Sequence, residues 1–156
     1  MIYLFVEGTG ILGLVTAAYG AGQVHLTDRF DVVRLLEHNV KLNPDLSALI
    51  RCSELEWNGE KEGALEPPFD YIVASECIYN MRYAPALLAT VNKLAGPGTV
   101  VLFAYASRNP DEERRWFAED VSLDWEVHSR EVPPSSLPVD KPPAQVFLQQ
   151  WVRKPN

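Results

Sequence analysis

Residues 7–13 read Glu-Gly-Thr-Gly-Ile-Leu-Gly and stand between an apolar run, Ile2 to Val6, and an apolar stretch, Ile11 to Tyr19. That order predicts strand, glycine turn and helix. A chain bending sharply from strand to helix needs residues without a Cβ where a ligand approaches, and the opening helix presents unpaired N–H groups to it. The next apolar run, Gln23 to Thr27, closes on Asp28, which lies 28 − 10 = 18 residues beyond Gly10. At the end of a neighbouring strand, a carboxylate can accept hydrogen bonds from both hydroxyls of a ribose. Turn and acid together point to a nucleoside-containing ligand, with a βαβ unit whose glycines only permit close helix packing as the competing reading.

The rest of the chain continues the alternation. Asp31 to Leu42 places Val32, Leu35, Leu36 and Val40 near helical spacing and is stopped by Asn43-Pro44. Ser47 to Cys52 reads as a short third strand leading to Leu55-Glu56-Trp57, and Asn58 to Pro68 as a polar surface excursion. Phe69 to Ala74 and Thr99 to Ala106 are apolar strands of the kind a parallel sheet covered on both faces requires, with a helix, Pro85 to Leu94, between them. A helix over Asp111 to Asp120 and two strands, Ser122 to Val132 and Ala144 to Val152, complete the chain. Strands alternating with helices five times, then two strands with no helix between them, describe an α/β, Rossmann-like, doubly wound sheet of order 3-2-1-4-5-7-6, ended by an antiparallel hairpin. The connection Pro133 to Pro143 holds five of the 12 prolines and is expected as a stiff extended loop at the carboxyl edge of the sheet.

Size and charge narrow the class. A chain of 156 residues, 47% hydrophobic, suits one domain spanning residues 1–156. The net charge of −7 argues against a nucleic-acid partner and favours a basic substrate. Cys52 and Cys77 sit in apolar segments without a metal-ligand spacing, so buried reduced thiols in an intracellular protein are expected. His25, His38 and His128 fall in separate segments and define neither a metal site nor a nucleophile set. No membrane span or secretory signal is read from the sequence.

Taken together, the glycine turn, Leu26-Thr27-Asp28-Arg29, Leu55-Glu56-Trp57 followed by Gly59, and Ser75-Glu76-Cys77-Ile78-Tyr79 resemble the seven-β-strand S-adenosylmethionine-dependent protein-lysine methyltransferases, methyltransferase family 16. The resemblance runs from about Val6 to the end. It implies that Glu7, Gly8, Thr9 and Gly10 cradle the methionine part of S-adenosylmethionine and that Asp28 holds its ribose. Trp57 matches the family's tryptophan beside the adenine, although core packing explains a tryptophan there nearly as well. Ser75 takes the small-residue position whose backbone touches the cofactor. Glu76 stands where the family usually has Asp, in an acid-x-x-Tyr motif completed by Tyr79 that lines the substrate-lysine channel; a solvent-facing carboxylate is the competing reading.

Two departures accompany the match. Leu4 and Val6 stand where the family usually has an acid and a further glycine, with Glu7 displaced into the turn. The chain also starts at its first strand, where the family carries an additional N-terminal segment with another tryptophan. The expectation is therefore a cytoplasmic or nuclear monomer that methylates a lysine of a protein substrate, without nucleic-acid or membrane partners. An NAD(P)-dependent oxidoreductase domain and an inactive methyltransferase-like binding module are the alternatives.

Overall fold

The structure is a computed structural model that describes the backbone of residues 2–5 and all of residues 8–57, 65, 67–137 and 145–155. A seven-stranded sheet of order β3-β2-β1-β4-β5-β7-β6 organises it. β1 (Ile2–Phe5), β2 (Val24–Asp28), β3 (Ile50–Glu54), β4 (Phe69–Ser75) and β5 (Ala95–Ala106) run parallel. β7 (Val146–Arg153) is antiparallel to β5 and to β6 (Trp125–Val132), so β6 points the same way as the first five. All six of those strands deliver their carboxyl ends to one edge.

Helices α1 (Ile11–Ala18) and α2 (Phe30–Lys41) pack on one face of the β1–β3 half, and their cluster includes Ala17, Leu26, Leu36, Val40 and Ile50. The larger cluster lies on the other face, where α4 (Ala84–Leu94) and α5 (Pro110–Trp116) meet Ile72, Phe103, Trp125 and Trp151. Alternation along β4 separates the two: Ile72 and Ala74 belong to the larger cluster and Val73 packs against the smaller. Aromatic rings dominate the larger cluster, with Phe103 stacked on Trp151 at 5.1 Å between centroids.

Several expectations are corrected. Ser47 is not in a strand: Pro44–Ser47 forms a one-turn helix, α3, because Pro44 suits a first helical turn, and β3 begins at Ile50. Ser122–Asp124 is a helical turn, α6, reached through a wide helical turn at Phe117–Val121, and β6 starts at Trp125. Pro134–Ser136 is a 3-10 turn rather than extended chain, since proline at the start of a helical turn gives up no needed hydrogen bond. Residues 138–144 of that connection, and 58–64 and 66 of the surface excursion, lie outside the described residues; no helix occurs between β3 and β4 among the described ones.

The strands are not covered on both faces throughout. Tyr71, Leu102, Leu148 and Val152 share one face of β4, β5 and β7 and are 43, 39, 40 and 37% exposed. The helices that follow β4 and β5 both pack on the opposite face, which leaves this half-sheet uncovered among the described residues.

Candidate functional site

The glycine turn is shaped by two backbone conformations that side chains rarely adopt. Gly8 has φ +53° and Gly10 φ +79°. They differ in surroundings: a Cβ on Gly10 would stand 3.2 Å from a Leu36 methyl and 3.3 Å from a Leu26 methyl, whereas a Cβ on Gly8 would meet nothing within 4 Å. Gly10 is thus required by packing, and Gly8 faces open space. The N-cap of α1 is Gly10, which has no side chain to offer as a cap.

Asp28 ties this turn to the end of β2. One carboxylate oxygen accepts from Gly8 N–H at 3.0 Å and the other from Arg29 N–H at 2.7 Å. The residue is only 6% exposed, and its own carbonyl accepts from Leu55 N–H, which carries the chain on from β3. Two backbone donors fill about half of what a carboxylate can accept, leaving lone pairs for ligand hydroxyls. Thr9 is exposed, and its carbonyl accepts from Asn39 Nδ2 at 2.7 Å, which fixes the outer side of the turn to α2. Val6 and Glu7 lie outside the described residues. A shallow depression of about 170 Å³ between α1 and α2 is lined by Thr9, Asn39 and Leu42, among others, and by neither Asp28 nor Glu76, so it lies on the outer side of the turn.

Trp57 is half-buried against the larger core cluster, and its carbonyl accepts from Thr90 Oγ1 on α4 at 2.9 Å. Ser75 ends β4, half-buried, opposite Ala104 of β5. Beyond it, Glu76 adopts φ +56°, a left-handed conformation uncommon for a side chain of its length. Three contacts hold it there. Its N–H donates to Ala104 carbonyl at 2.9 Å, one carboxylate oxygen accepts from Ala106 N–H at 2.5 Å, and the other accepts from Arg108 Nη2 at 2.9 Å. The side chain is 46% exposed, so it is solvent-accessible, yet it is pinned to the end of β5 rather than loose.

Tyr79 is 57% exposed. The Arg29 guanidinium is held above its ordinary value first by the hydrogen bond and charge of Asp31, then by the charges of Asp28 and Tyr79. The ends of β2 and β4 lie at the same carboxyl edge of the sheet, on either side of β1. Leu55 to Trp57 enters from β3, and Ala106 to Arg108 from β5.

One part of the site escapes sequence reasoning. Glu113 on α5 is 3% exposed and accepts from Ser107 Oγ at 2.6 Å and from the N–H groups of Arg108 and Asn109, both at 2.8 Å. This buried carboxylate folds the β5–α5 corner and sets where Arg108 emerges. In Asp-Glu-Glu-Arg-Arg the residue looks like part of a solvated helix face. The available signal was Asn109-Pro110 at a helix start with an acid four residues on, one position beyond the spacing of a capping box.

The expected thiols are found free, with Cys77 buried and Cys52 half-buried. Burial, and then the charge of Glu37, push the Cys52 thiol from 9.0 up to about 11. His25 is buried with Nε2 2.8 Å from Ser53 Oγ, which explains it as a satisfied core residue.

Comparison with known proteins bears on the fold and on the family. In solved structures, the glycopeptide N-methyltransferase MtfA complexed with S-adenosylhomocysteine superposes with a TM-score of 0.74 at 14% identity, covering 98% of this chain and 82% of that one. The N-methyltransferase NodS from Bradyrhizobium japonicum WM9, also with S-adenosylhomocysteine, gives 0.71 at 14% identity, covering 99% and 78%. At such identities the likeness concerns the fold, which is the Rossmann-like α/β fold of class I methyltransferases. Among relatives by sequence, protein-lysine N-methyltransferase rrg1 of Schizosaccharomyces pombe is 29% identical over 110 residues, covering 65% of this chain and 36% of its own length. Protein N-lysine methyltransferase METTL21A of Xenopus tropicalis is 34% identical over 97 residues, covering 62% and 45%. The chain thus spans between a third and a half of the length of these curated relatives. The lysine methyltransferase family model matches residues 6–122, three-quarters of the chain, which include the glycine turn and the carboxyl ends of β2, β3, β4 and β5. With the glycine turn locked to Asp28 at the edge where this fold binds its ligand, the chain belongs to the lysine methyltransferase family.

Proposed function

We propose that this chain transfers a methyl group from S-adenosylmethionine to the side chain of a lysine in a protein substrate. The observation that carries the reading is the hydrogen bond from Gly8 N–H to the Asp28 carboxylate, which joins the two halves of the nucleoside signal. The residues present suit such a cofactor. Gly8 leaves open space beside its backbone, α1 begins at a glycine N-cap, and Asp28 keeps acceptor capacity for two ribose hydroxyls.

In this reading Gly8, Thr9 and Gly10, with Glu7 beside them, cradle the methionine end, Asp28 holds the ribose, Trp57 flanks the adenine and the Ser75 backbone closes the crevice. When bound, the cofactor supplies an electrophilic methyl on a sulfonium centre. The protein's task is alignment: methyl transfer in line needs a neutral amine, and partial burial of a lysine favours that form. Glu76 and Tyr79 stand at the end of β4 to orient the arriving amine. Glu76 would act as a hydrogen-bond acceptor rather than as a general base, since both its oxygens are already engaged.

The reading extends to a single domain over residues 1–156, with sheet order 3-2-1-4-5-7-6 bringing all the site segments to one edge. It also extends to a monomer in the cytoplasm or nucleus whose partner is a protein. No helix among the described residues is long and apolar enough to cross a membrane. The test is incubation of the purified chain with cell lysate and methyl-tritiated S-adenosylmethionine, followed by mapping of the label. Label on lysine is the expected outcome; label on arginine, histidine or a small molecule would overturn the substrate class. A parallel titration with S-adenosylhomocysteine and NADH separates the oxidoreductase alternative, which requires preferential NADH binding. A folded chain that binds neither would be a binding module.

A further inference from the structure

We infer that Arg108 is a positioning residue that cancels the charge of Glu76, so that the crevice admits a substrate amine without trapping it as an ammonium ion. The inference rests on the methyl-transfer reading above for its purpose, and on the geometry of the β5–α5 corner for its substance.

Glu76 is held from two sides. Ala106 N–H fixes one oxygen, and the Arg108 guanidinium lies 2.9 Å from the other, in the place a substrate ammonium would take if the carboxylate were free. Arg108 does not reach there by chance rotation of a loose loop. Its own N–H, that of Asn109 and the Ser107 hydroxyl all converge on the buried Glu113 carboxylate, so the backbone from which the guanidinium extends is fixed. Side chains 57% and 46% exposed form a pair of small energetic weight. Its importance is local: a bare carboxylate beside the acceptor would favour the protonated lysine, which has no lone pair to attack a methyl group, whereas a neutral pair removes that preference. The transfer needs the carboxylate as a hydrogen-bond acceptor and is slowed by it as an uncompensated charge. Arg108 separates the two properties.

The prediction is tested without cofactor or methyl transfer. Butylammonium chloride, which carries the end of a lysine side chain, is titrated into the ¹⁵N-labelled chain, and the Ala106 amide, hydrogen-bonded to Glu76, is followed by NMR. Arg108→Gln should bind butylammonium about fivefold more tightly than the parent, the size expected for one unit charge about 4 Å away in solvent. Arg108→Lys, which keeps the charge, should titrate like the parent, and Arg108→Gln combined with Glu76→Gln should lose the gain. If Arg108→Gln titrates like the parent, or the double variant keeps the tighter binding, the inference is overturned. Its failure is distinct from failure of the methyl-transfer reading: a labelled lysate with an unchanged titration sinks only the charge role, and the expected titration with an unlabelled lysate supports the charge role while sinking the transfer.

Discussion

Gly8 and Gly10 share a positive φ but differ in what they protect. Gly10→Ala puts a methyl 3.2 Å and 3.3 Å from the fully buried Leu36 and Leu26, in addition to left-handed strain. It should cost about 2–4 kcal/mol of stability in urea unfolding, the sum of strain and overpacking. Gly8→Ala meets no neighbour, so only the strain of about 1–2 kcal/mol should appear in unfolding, and the larger effect should be on S-adenosylhomocysteine affinity. Equal losses of stability in the two variants would contradict the division. Asp28→Ala should weaken the same affinity by about 1–3 kcal/mol, because ribose hydroxyls lose a charged acceptor and Gly8 loses its anchor. Unchanged affinity would make the turn purely structural. Cys52 gives a residue-scale test of burial: with its thiol raised from 9.0 to about 11, the native protein should be alkylated by iodoacetamide at pH 8 about a hundredfold more slowly at this site than the unfolded chain. The sign follows from which state loses its proton first. Between pH 9 and 11 the unfolded thiol ionises while the folded one does not, so this group's contribution to stability is present below pH 9 and declines as pH rises through that window.

Among the elements, the β5–α5 corner depends most on one side chain. Glu113→Ala leaves the Ser107 hydroxyl and the N–H groups of Arg108 and Asn109 without their acceptor in a site only 3% exposed, and about 2–4 kcal/mol of stability should be lost. Urea unfolding checks it, and a loss under 1 kcal/mol would mean that water replaces the carboxylate. The sequence announces most elements through periodicity and punctuation. Ile2 to Val6 before a glycine turn, the helical spacing of Val32, Leu36 and Val40, and the apolar run of β5 each have one economical reading, because burial on a sheet or helix face demands those patterns. Glu113 and Arg108 were illegible for the opposite reason. A charged residue in a charged run carries no periodic signal, and only the tertiary fold decides that one acid of Asp111, Glu112 and Glu113 turns inward to bond a corner. Apolar patterning extends β3 back to Ser47 and β6 back to Ser122, because it overlooks the local turn chemistry that sets the boundary of a short element, here Pro44 and the wide turn after Trp116. At the site, Asp28 and Gly8 could be paired from spacing alone, whereas the anchoring of Glu76 to Ala106 and Arg108 depends on β5 lying beside β4, a relation across 30 and 32 residues.

At the scale of the molecule, the sheet's two faces are unequally covered among the described residues, and the inequality has a measurable consequence. Phe103 and Leu102 are adjacent on β5 and point to opposite faces; Phe103 is 1% exposed beneath the aromatic cluster and Leu102 is 39% exposed. Parallel strands are ordinarily buried on both sides, and an apolar face left open remains a standing hydrophobic surface in the native state. Phe103→Ala should therefore cost about 3–5 kcal/mol, because it empties a packed position. Leu102→Thr together with Leu148→Thr should change stability by less than about 1 kcal/mol, since both leucines are about two-fifths exposed and threonine keeps a strand-forming branched side chain. The pair should also lower binding of 8-anilinonaphthalene-1-sulfonate to the folded chain, because the dye reports accessible apolar surface and these two side chains flank Ala104 and Gln150 near the centre of that face. The two measurements are independent. If the double threonine variant unfolds as readily as Phe103→Ala, the face is packed in solution by part of this chain. If stability is kept and dye binding is unchanged, the apolar surface that the native protein offers lies elsewhere, and the exposed stripe of Ile11 and Val15 on α1 with Tyr19 at its C-cap is the next place to substitute.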